Sequence, residues 1–213
     1  MANGTCTRQS LVSARITVQH TSLRIILWVG LLTTVVLSPL TAQAAAQTTP
    51  DPELRQRLMT AVSTSTSFSD RFEAEVWLMD MSHRLKRHLP NTDQRLDFLR
   101  LVHQESTQAG LPPELVLAVI EVESSFNRWA ISRSGAQGLM QIMPFWLKEI
   151  GRPGDNLLQP ATNLRLGCTI LKYYLDMEQG HLRPALARYN GSLGRRQYPD
   201  KIFNALNTRW YRL

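Results

Sequence analysis

The stretch LPPELVLAVIEVESSFN, residues 111–127, is an apolar run that opens on two prolines and closes on two glutamates, Glu121 and Glu123, set two residues apart. Its reading decides the fold. A proline in the first turn of a helix loses no hydrogen bond, and an acidic residue such as Glu114 suits the positive end of the helix dipole, so a helix starts at Pro112. At about 100° per residue, Leu115, Val116, Ala118, Val119, Ile120 and Val122 make a broad apolar stripe. Glu123 falls inside the stripe, one turn beyond Val119, whereas Glu121 falls on the edge beside Glu114 and Leu117. A carboxylate in an apolar stripe is costly to ionise unless it is paired, so its pKa rises and it holds a proton near neutral pH. Glu123 is therefore the candidate acid, although geometry alone fits a structurally paired buried glutamate equally well. Glu121 reads as a solvated or salt-bridged helix residue.

Upstream, the first 24 residues carry Arg8, Arg15 and Arg24 and no acid, residues 25–40 run apolar as IILWVGLLTTVVLSPL, and small residues follow in TAQAAAQ. This is the pattern of a secretory signal peptide, residues 1–46, cleaved after Ala44 or Ala46. Its sixteen apolar residues, interrupted by Ser38 and Pro39, are short against the roughly 20 of a membrane span, so cleavage is favoured over an anchor. The leader holds three arginines and no acid, so its removal takes the formal net charge from +7 to +4. A moderately basic exported chain suits an anionic surface such as a cell wall, and the basic balance alone does not argue for nucleic acid. Cys6 lies in the leader and is not placed as a lipobox cysteine, which leaves Cys168 without an internal disulfide partner. It reads as a small buried hydrophobe.

The rest of the mature chain is punctuated as helices. STSTSFSD, residues 63–70, supplies a cap for a helix over residues 71–89 with Phe72, Val76, Met79 and Leu85 near helical spacing, ended by Pro90. A second amphipathic helix spans residues 93–110, with Leu96, Leu99 and Val102 inside and Gly110 closing it. After the Pro112 helix comes a turn-rich loop, then helices over residues 161–178, 183–189 and 199–207. No strand pair or repeat is evident, so the fold class is mainly α, in one domain with a core of its own.

Four segments carry a further pattern: Glu123-Ser124, GLMQIMP at 138–144, Asn163 and Gly167 in NLRLG, and Tyr189-Asn190. In this order and spacing they resemble the soluble lytic transglycosylase (SLT) family, which is similar in fold to goose-type lysozyme. The resemblance covers roughly residues 111–202, and GLMQIMP following an ES pair makes it specific. It implies a lysozyme-like helical catalytic domain over residues 111–213, preceded by the signal peptide and by an N-terminal helical extension, residues 47–110, which carries no usable motif. It implies Glu123 as the catalytic acid and Ser132, Gln141, Met143, Tyr189 and Asn190 as substrate-binding, with the Tyr189 phenol hydrogen-bonded to the catalytic carboxyl. Asn163 and Gly167 are read as a helix cap and a close-packing site. Arg188 stands where alanine is usual and NGSLG where many members have NAGPG, departures that bear on sugar preference rather than on the acid.

The implied reaction is cleavage of the β-1,4 bond between N-acetylmuramic acid and N-acetylglucosamine, ending in a 1,6-anhydromuramyl product without added water. Apolar packing and the Tyr189 hydroxyl would keep Glu123 protonated until used. Two-carboxylate hydrolysis lacks an evident second acid, since Glu121 is off the face and Asp155 lies in a Gly/Pro-rich loop. The competing readings are a hydrolytic muramidase and a catalytically silent glycan-binding scaffold of an envelope machine. No HExxH, G-x-S-x-G or P-loop occurs, His83 and His88 sit at no ligand spacing, and no cofactor or metal is expected. The expected partner is the peptidoglycan glycan strand, possible company a cell-envelope machine, and the expected setting the periplasm, as a monomer.

Overall fold

The computed structural model describes Gln56 and residues 66–211. The leader and its cleavage site lie outside the described residues. Between 66 and 211 the helices are α1 (Arg71–Leu85), α2 (Thr92–Gln108), α3 (Pro113–Ser124), α4 (Trp146–Ile150), α5 (Pro160–Met177), α6 (Leu182–Tyr189) and α7 (Gln197–Ala205), which runs into a π-helical turn, Leu206–Trp210. Extended backbone among the described residues is limited to isolated bridges joining Ile131 to Gln137 and Gln137 to Ile142. The mainly helical class read from the sequence is the one observed.

Capping sets the first two helices. Asp70 accepts the Glu73 N–H at 2.9 Å and Asn91 accepts the Gln94 N–H at 3.0 Å, each satisfying an orphan donor of a first turn. Of the residues expected on one face of α1, Leu85 is buried, but Phe72 is 74% exposed and Met79 43%, and the core is entered instead by Ala74, Trp77, Leu78 and Met81 beside Leu85. Two apolar stripes compete on this helix, and the one carrying Trp77 and Leu78 removes more apolar surface from water. The helix also stops at Leu85 rather than continuing to Leu89. Its outgoing turn is held by the buried Arg95, which donates to the carbonyls of Leu89 at 2.6 Å and Pro90 at 3.0 Å and to Ser82 Oγ at 2.8 Å. On α2, Leu96, Leu99 and Val102 are buried as their spacing predicts.

The central helix is α3. Residues 115–120 are all buried, so the helix is apolar all round rather than along one stripe, the pattern of a helix enclosed by others. Helices α2 and α7 and the π-helical turn pack on it. The π-helical turn covers the side that the spacing assigned to solvent: Trp210 Nε1 donates to Glu121 Oε2 at 2.7 Å, and Arg209 Nε lies 2.5 Å from Glu121 Oε1. Of the two possibilities for Glu121, it is the salt-bridged one, and its side chain is 15% exposed. Helices α1 and α2 share one apolar cluster with the helices that follow Gly110.

Candidate active site

The site is built where α3 stops. Ser125 and Phe126 both take left-handed backbone, φ 50° and 67°, which non-glycine residues adopt only at a cost of about 1–2 kcal/mol each. Burial offsets it: the Phe126 ring enters the core against His88, Phe98 and Trp210. This abrupt reversal leaves Glu123 in the last turn of α3.

The loop that follows is tied down around Met140. Ser124 Oγ donates to the Leu139 carbonyl at 2.8 Å, Asn163 Oδ1 accepts the Met140 N–H at 2.7 Å, and the Tyr189 hydroxyl donates to the Met140 carbonyl at 2.7 Å. Asn163 Nδ2 also donates to the carbonyls of Gln137 at 2.8 Å and Leu157 at 2.9 Å. A Cβ on Gly167 would sit 2.9 Å from Met140 Cβ, so only glycine lets α5 approach this closely. The last three sequence segments thus meet at Met140, and the first reaches its neighbour Leu139 through Ser124. Gly167 is the close-packing site the sequence suggested; Asn163 is not a helix cap but a fully buried brace that fills three backbone valences of the loop.

Glu123 opens into a cleft of about 400 Å³ whose walls include Val122 from α3, Asn190 and Ser192 after α6, and Tyr198 and Lys201 from α7. Arg195 and Gln197 complete the lining, and Glu123 is the one carboxylate in it. Burial pushes the Glu123 pKa up to about 7, against a smaller opposing pull from the Tyr198 hydroxyl, which donates to Oε1 at 2.6 Å. Burial likewise holds the Tyr198 phenol well above its ordinary value, so it is a neutral donor at physiological pH. A carboxyl poised near 7 gives and takes a proton at little cost, which is what general acid–base work requires.

The phenol on the carboxyl is therefore Tyr198 and not Tyr189, whose hydroxyl is spent on Met140. The direction of its effect also differs from the expectation. A donor favours the ionised carboxylate, so burial alone keeps the proton on Glu123. Tyr198 was legible in one respect: it lies one helical turn before Ile202 on the apolar face of α7, and a phenol buried there needs a partner. Of the remaining expected contacts, Asn190 lines the cleft, whereas Ser132, Gln141 and Met143 are not among its lining residues. Ser132 Oγ accepts the Ala136 N–H at 3.0 Å and faces Ser134 Oγ at 2.9 Å. Gln141 Nε2 donates to the carbonyls of Gly138 at 2.8 Å and Ala130 at 3.2 Å, which steadies its own left-handed backbone at φ 50°.

Other candidates are engaged elsewhere. Asp155 accepts the Arg152 N–H at 2.6 Å and pairs with Arg165 at 2.5 Å, bonds that hold its carboxyl below the ordinary range. Arg188 is ion-paired with Glu178. The Cys168 thiol is buried and pushed upward by that burial, an inert packing group. No group of His, Cys, Asp and Glu among the described residues could hold a metal ion.

Residues 100–209 match the family model described as the Transglycosylase SLT domain, and the chain belongs to that family. It is 33% identical over 119 residues to a transglycosylase of Enterobacteria phage PRD1, covering 53% of this chain and 44% of the phage protein. Over 113 residues it is 34% identical to the membrane-bound lytic murein transglycosylase C of Photorhabdus laumondii, covering 46% of this chain and 32% of that one. The chain spans less than half the length of either relative. Among solved structures, an inactive mutant of the lytic transglycosylase Slt from Pseudomonas aeruginosa is similar at 21% identity and a TM-score of 0.42, covering 73% of this chain and 34% of that one. The matched region begins inside α2, so α1 stands outside it while sharing its core.

Proposed function

We propose that the chain is a peptidoglycan lytic transglycosylase, cleaving the β-1,4 bond between N-acetylmuramic acid and N-acetylglucosamine and leaving a 1,6-anhydromuramyl end. The observation that carries this reading is a cleft with a single carboxylate, Glu123, poised near pH 7 and bonded to Tyr198. Two-carboxylate hydrolases need a second acid to attack C1 or to activate water. In this chain Glu121 is held by Trp210 and Arg209, and Asp155 by Arg152 and Arg165.

With one acid the substrate supplies the rest. Glu123 gives its proton to the glycosidic oxygen as the C1–O bond breaks, and the N-acetyl carbonyl oxygen of the muramyl residue shares the positive charge at C1. The ionised Glu123, stabilised by the Tyr198 donor, then takes the proton of the C6 hydroxyl as O6 bonds to C1. Glu123 ends protonated again and no water is consumed. Asn190 sits in the cleft wall to position sugar, and the resemblance implies further sugar contacts from Ser132, Gln141 and Met143. The word "murein" in the name of the Photorhabdus relative agrees with this substrate, and "membrane-bound" in the same name agrees with an envelope setting reached through the leader. No helix among the described residues is long and apolar enough to cross a membrane.

The test is mass spectrometry of muropeptides released from purified sacculi by the mature protein. Anhydro-muramyl ends support the reading, hydrated reducing ends assign a muramidase, and bound but uncut strands assign a scaffold.

A further inference from the structure

Arg195 and Lys201 line the cleft together with Glu123, are exposed, and have no ion-pair partner among the described residues. Of the cations nearby, Arg183 is paired with Asp200 and Arg188 with Glu178, while Arg196 is exposed and unpaired among the described residues but does not line the cleft. The backbone places both cations at the cleft. The Arg195 N–H donates to the Ser192 carbonyl at 2.9 Å, and Lys201 lies one turn beyond Gln197 on the same side of α7, while Tyr198 turns inward to Glu123. Glu123 is bonded to Tyr198, and no ion pair joins it to either cation among the described residues.

A cleft whose acid is half-protonated near neutral pH and whose rim holds two uncompensated cations is built for a ligand with negative charge. A glycan strand of N-acetyl sugars is neutral except where the 3-O-lactyl arm of muramic acid brings a carboxylate, either its own or those of the peptide stem attached to it. We propose that Arg195 and Lys201 bind muramyl-borne carboxylates and so set the specificity of the cleft for anionic, lactyl-bearing strands over neutral N-acetylglucosamine polymers. This rests on the glycan-cleaving reading above. Arginine supplies a planar fork for a carboxylate and lysine a mobile point charge, so the pair tolerates a carboxylate whose position varies along a flexible stem.

The experiment uses the full mature chain carrying Glu123→Gln, so that turnover does not consume the ligand. Binding is measured to three glycans of equal length: stem-bearing strands, amidase-trimmed strands that keep the free lactyl carboxylate, and neutral chitin oligosaccharides. The anionic strands are expected to bind about tenfold more tightly than chitin, roughly 1.4 kcal/mol, with a margin that shrinks as salt is raised. Adding Arg195→Gln and Lys201→Gln removes most of that margin and leaves chitin binding unchanged; Arg195→Glu with Lys201→Glu reverses it. A margin lost on both anionic glycans assigns both kinds of carboxylate, one lost on trimmed strands alone assigns the lactyl carboxylate, and one lost on stem-bearing strands alone assigns the stem. An equal fall on all three glycans, no change on any, or no initial preference for the anionic strands overturns the proposal. Release of anhydro products by the unmutated chain is read separately. Turnover without charge preference sinks only the role of the two cations, and charge preference without turnover sinks only the reaction.

Discussion

The Tyr198 hydroxyl stands 2.6 Å from Oε1 of Glu123, and this bond opposes the burial that raises the carboxyl's pKa. The opposition suits the proposed reaction, in which Glu123 gives a proton and then takes one. Burial favours the protonated form needed first, and the phenol favours the ionised form needed second. Tyr198→Phe removes the bond that favours the ionised carboxylate, so the pKa of Glu123 moves further above about 7 and the alkaline limb of the kcat/KM profile moves to higher pH, with lower turnover. Tyr189→Phe orphans the Met140 carbonyl instead and leaves the limb in place while costing roughly 0.5–1.5 kcal/mol of stability. A pH–rate series on both variants separates them; a limb that moves in the Tyr189 variant and not in the Tyr198 variant contradicts the assignment.

Glu123 also ties stability to pH. Its folded pKa, about 7, lies above the ordinary carboxyl value, so between the two the folded chain binds more protons than the unfolded chain, and stability falls as pH rises. The penalty is absent below about pH 4 and complete above about pH 8, reaching on the order of 3 kcal/mol. Glu123→Gln mimics the protonated form at every pH. Thermal melts should therefore show parent and variant alike in acid, with the variant increasingly the more stable toward pH 8, while its turnover falls on the order of 10²–10⁴-fold. A variant melting below the parent at pH 8 contradicts a desolvated acid.

How much of this was legible follows from what each signal measures. Helical periodicity reports apolar area, so it placed α2, α3 and Glu123, whose neighbours are unambiguous. On α1 it placed Leu85 but set Phe72 and Met79 with it, because which face is covered depends on where α2 and the C-terminal turn pack. Glu121 looked peripheral, because the Trp210 and Arg209 that enclose it lie almost ninety residues away in the chain. The resemblance located Tyr189 near the acid but not its bond: Tyr189 faces a backbone carbonyl, and only the packing of α7 on α3 brings Tyr198 to the carboxyl. Asn163 read as a cap because it sits in the first turn of α5, and its three partners come from the loops on either side of α4, whose paths periodicity does not encode.

Glu121 should matter to folding rather than to chemistry. Glu121→Gln keeps an acceptor for the Trp210 N–H and loses the Arg209 charge, a change of about 1 kcal/mol or less with activity near the parent's. Glu121→Ala leaves the indole N–H of Trp210, whose side chain is buried, without its partner and costs about 1–3 kcal/mol. Denaturant titrations of the two variants decide the point. Equal stability of Gln and Ala would mean that the Trp210 bond does not hold the C-terminal turn to α3.

The brace at Asn163 makes the strictest test of how the loop is held. Asn163→Leu fills the space but leaves the Met140 N–H and the carbonyls of Gln137 and Leu157 without their partner in a buried site. At about 1–3 kcal/mol for a buried unsatisfied group, the combined cost is about 3–5 kcal/mol, since the losses share one side chain and do not add fully. Asn163→Asp keeps the acceptor toward Met140 N–H but turns a second acceptor on two carbonyls. An ionised carboxylate therefore sits badly there, and a protonated one can donate to one of the two. The Asp variant should be less stable than the parent at neutral pH and recover part of the loss in acid, whereas the Leu variant should show no such recovery. Because the same loop carries Gln141 and Met143, turnover should fall with stability in both. Thermal melts at acid and neutral pH read the outcome directly: Asn163→Leu melting within a degree or two of the parent would mean that Asn163 does not hold this loop.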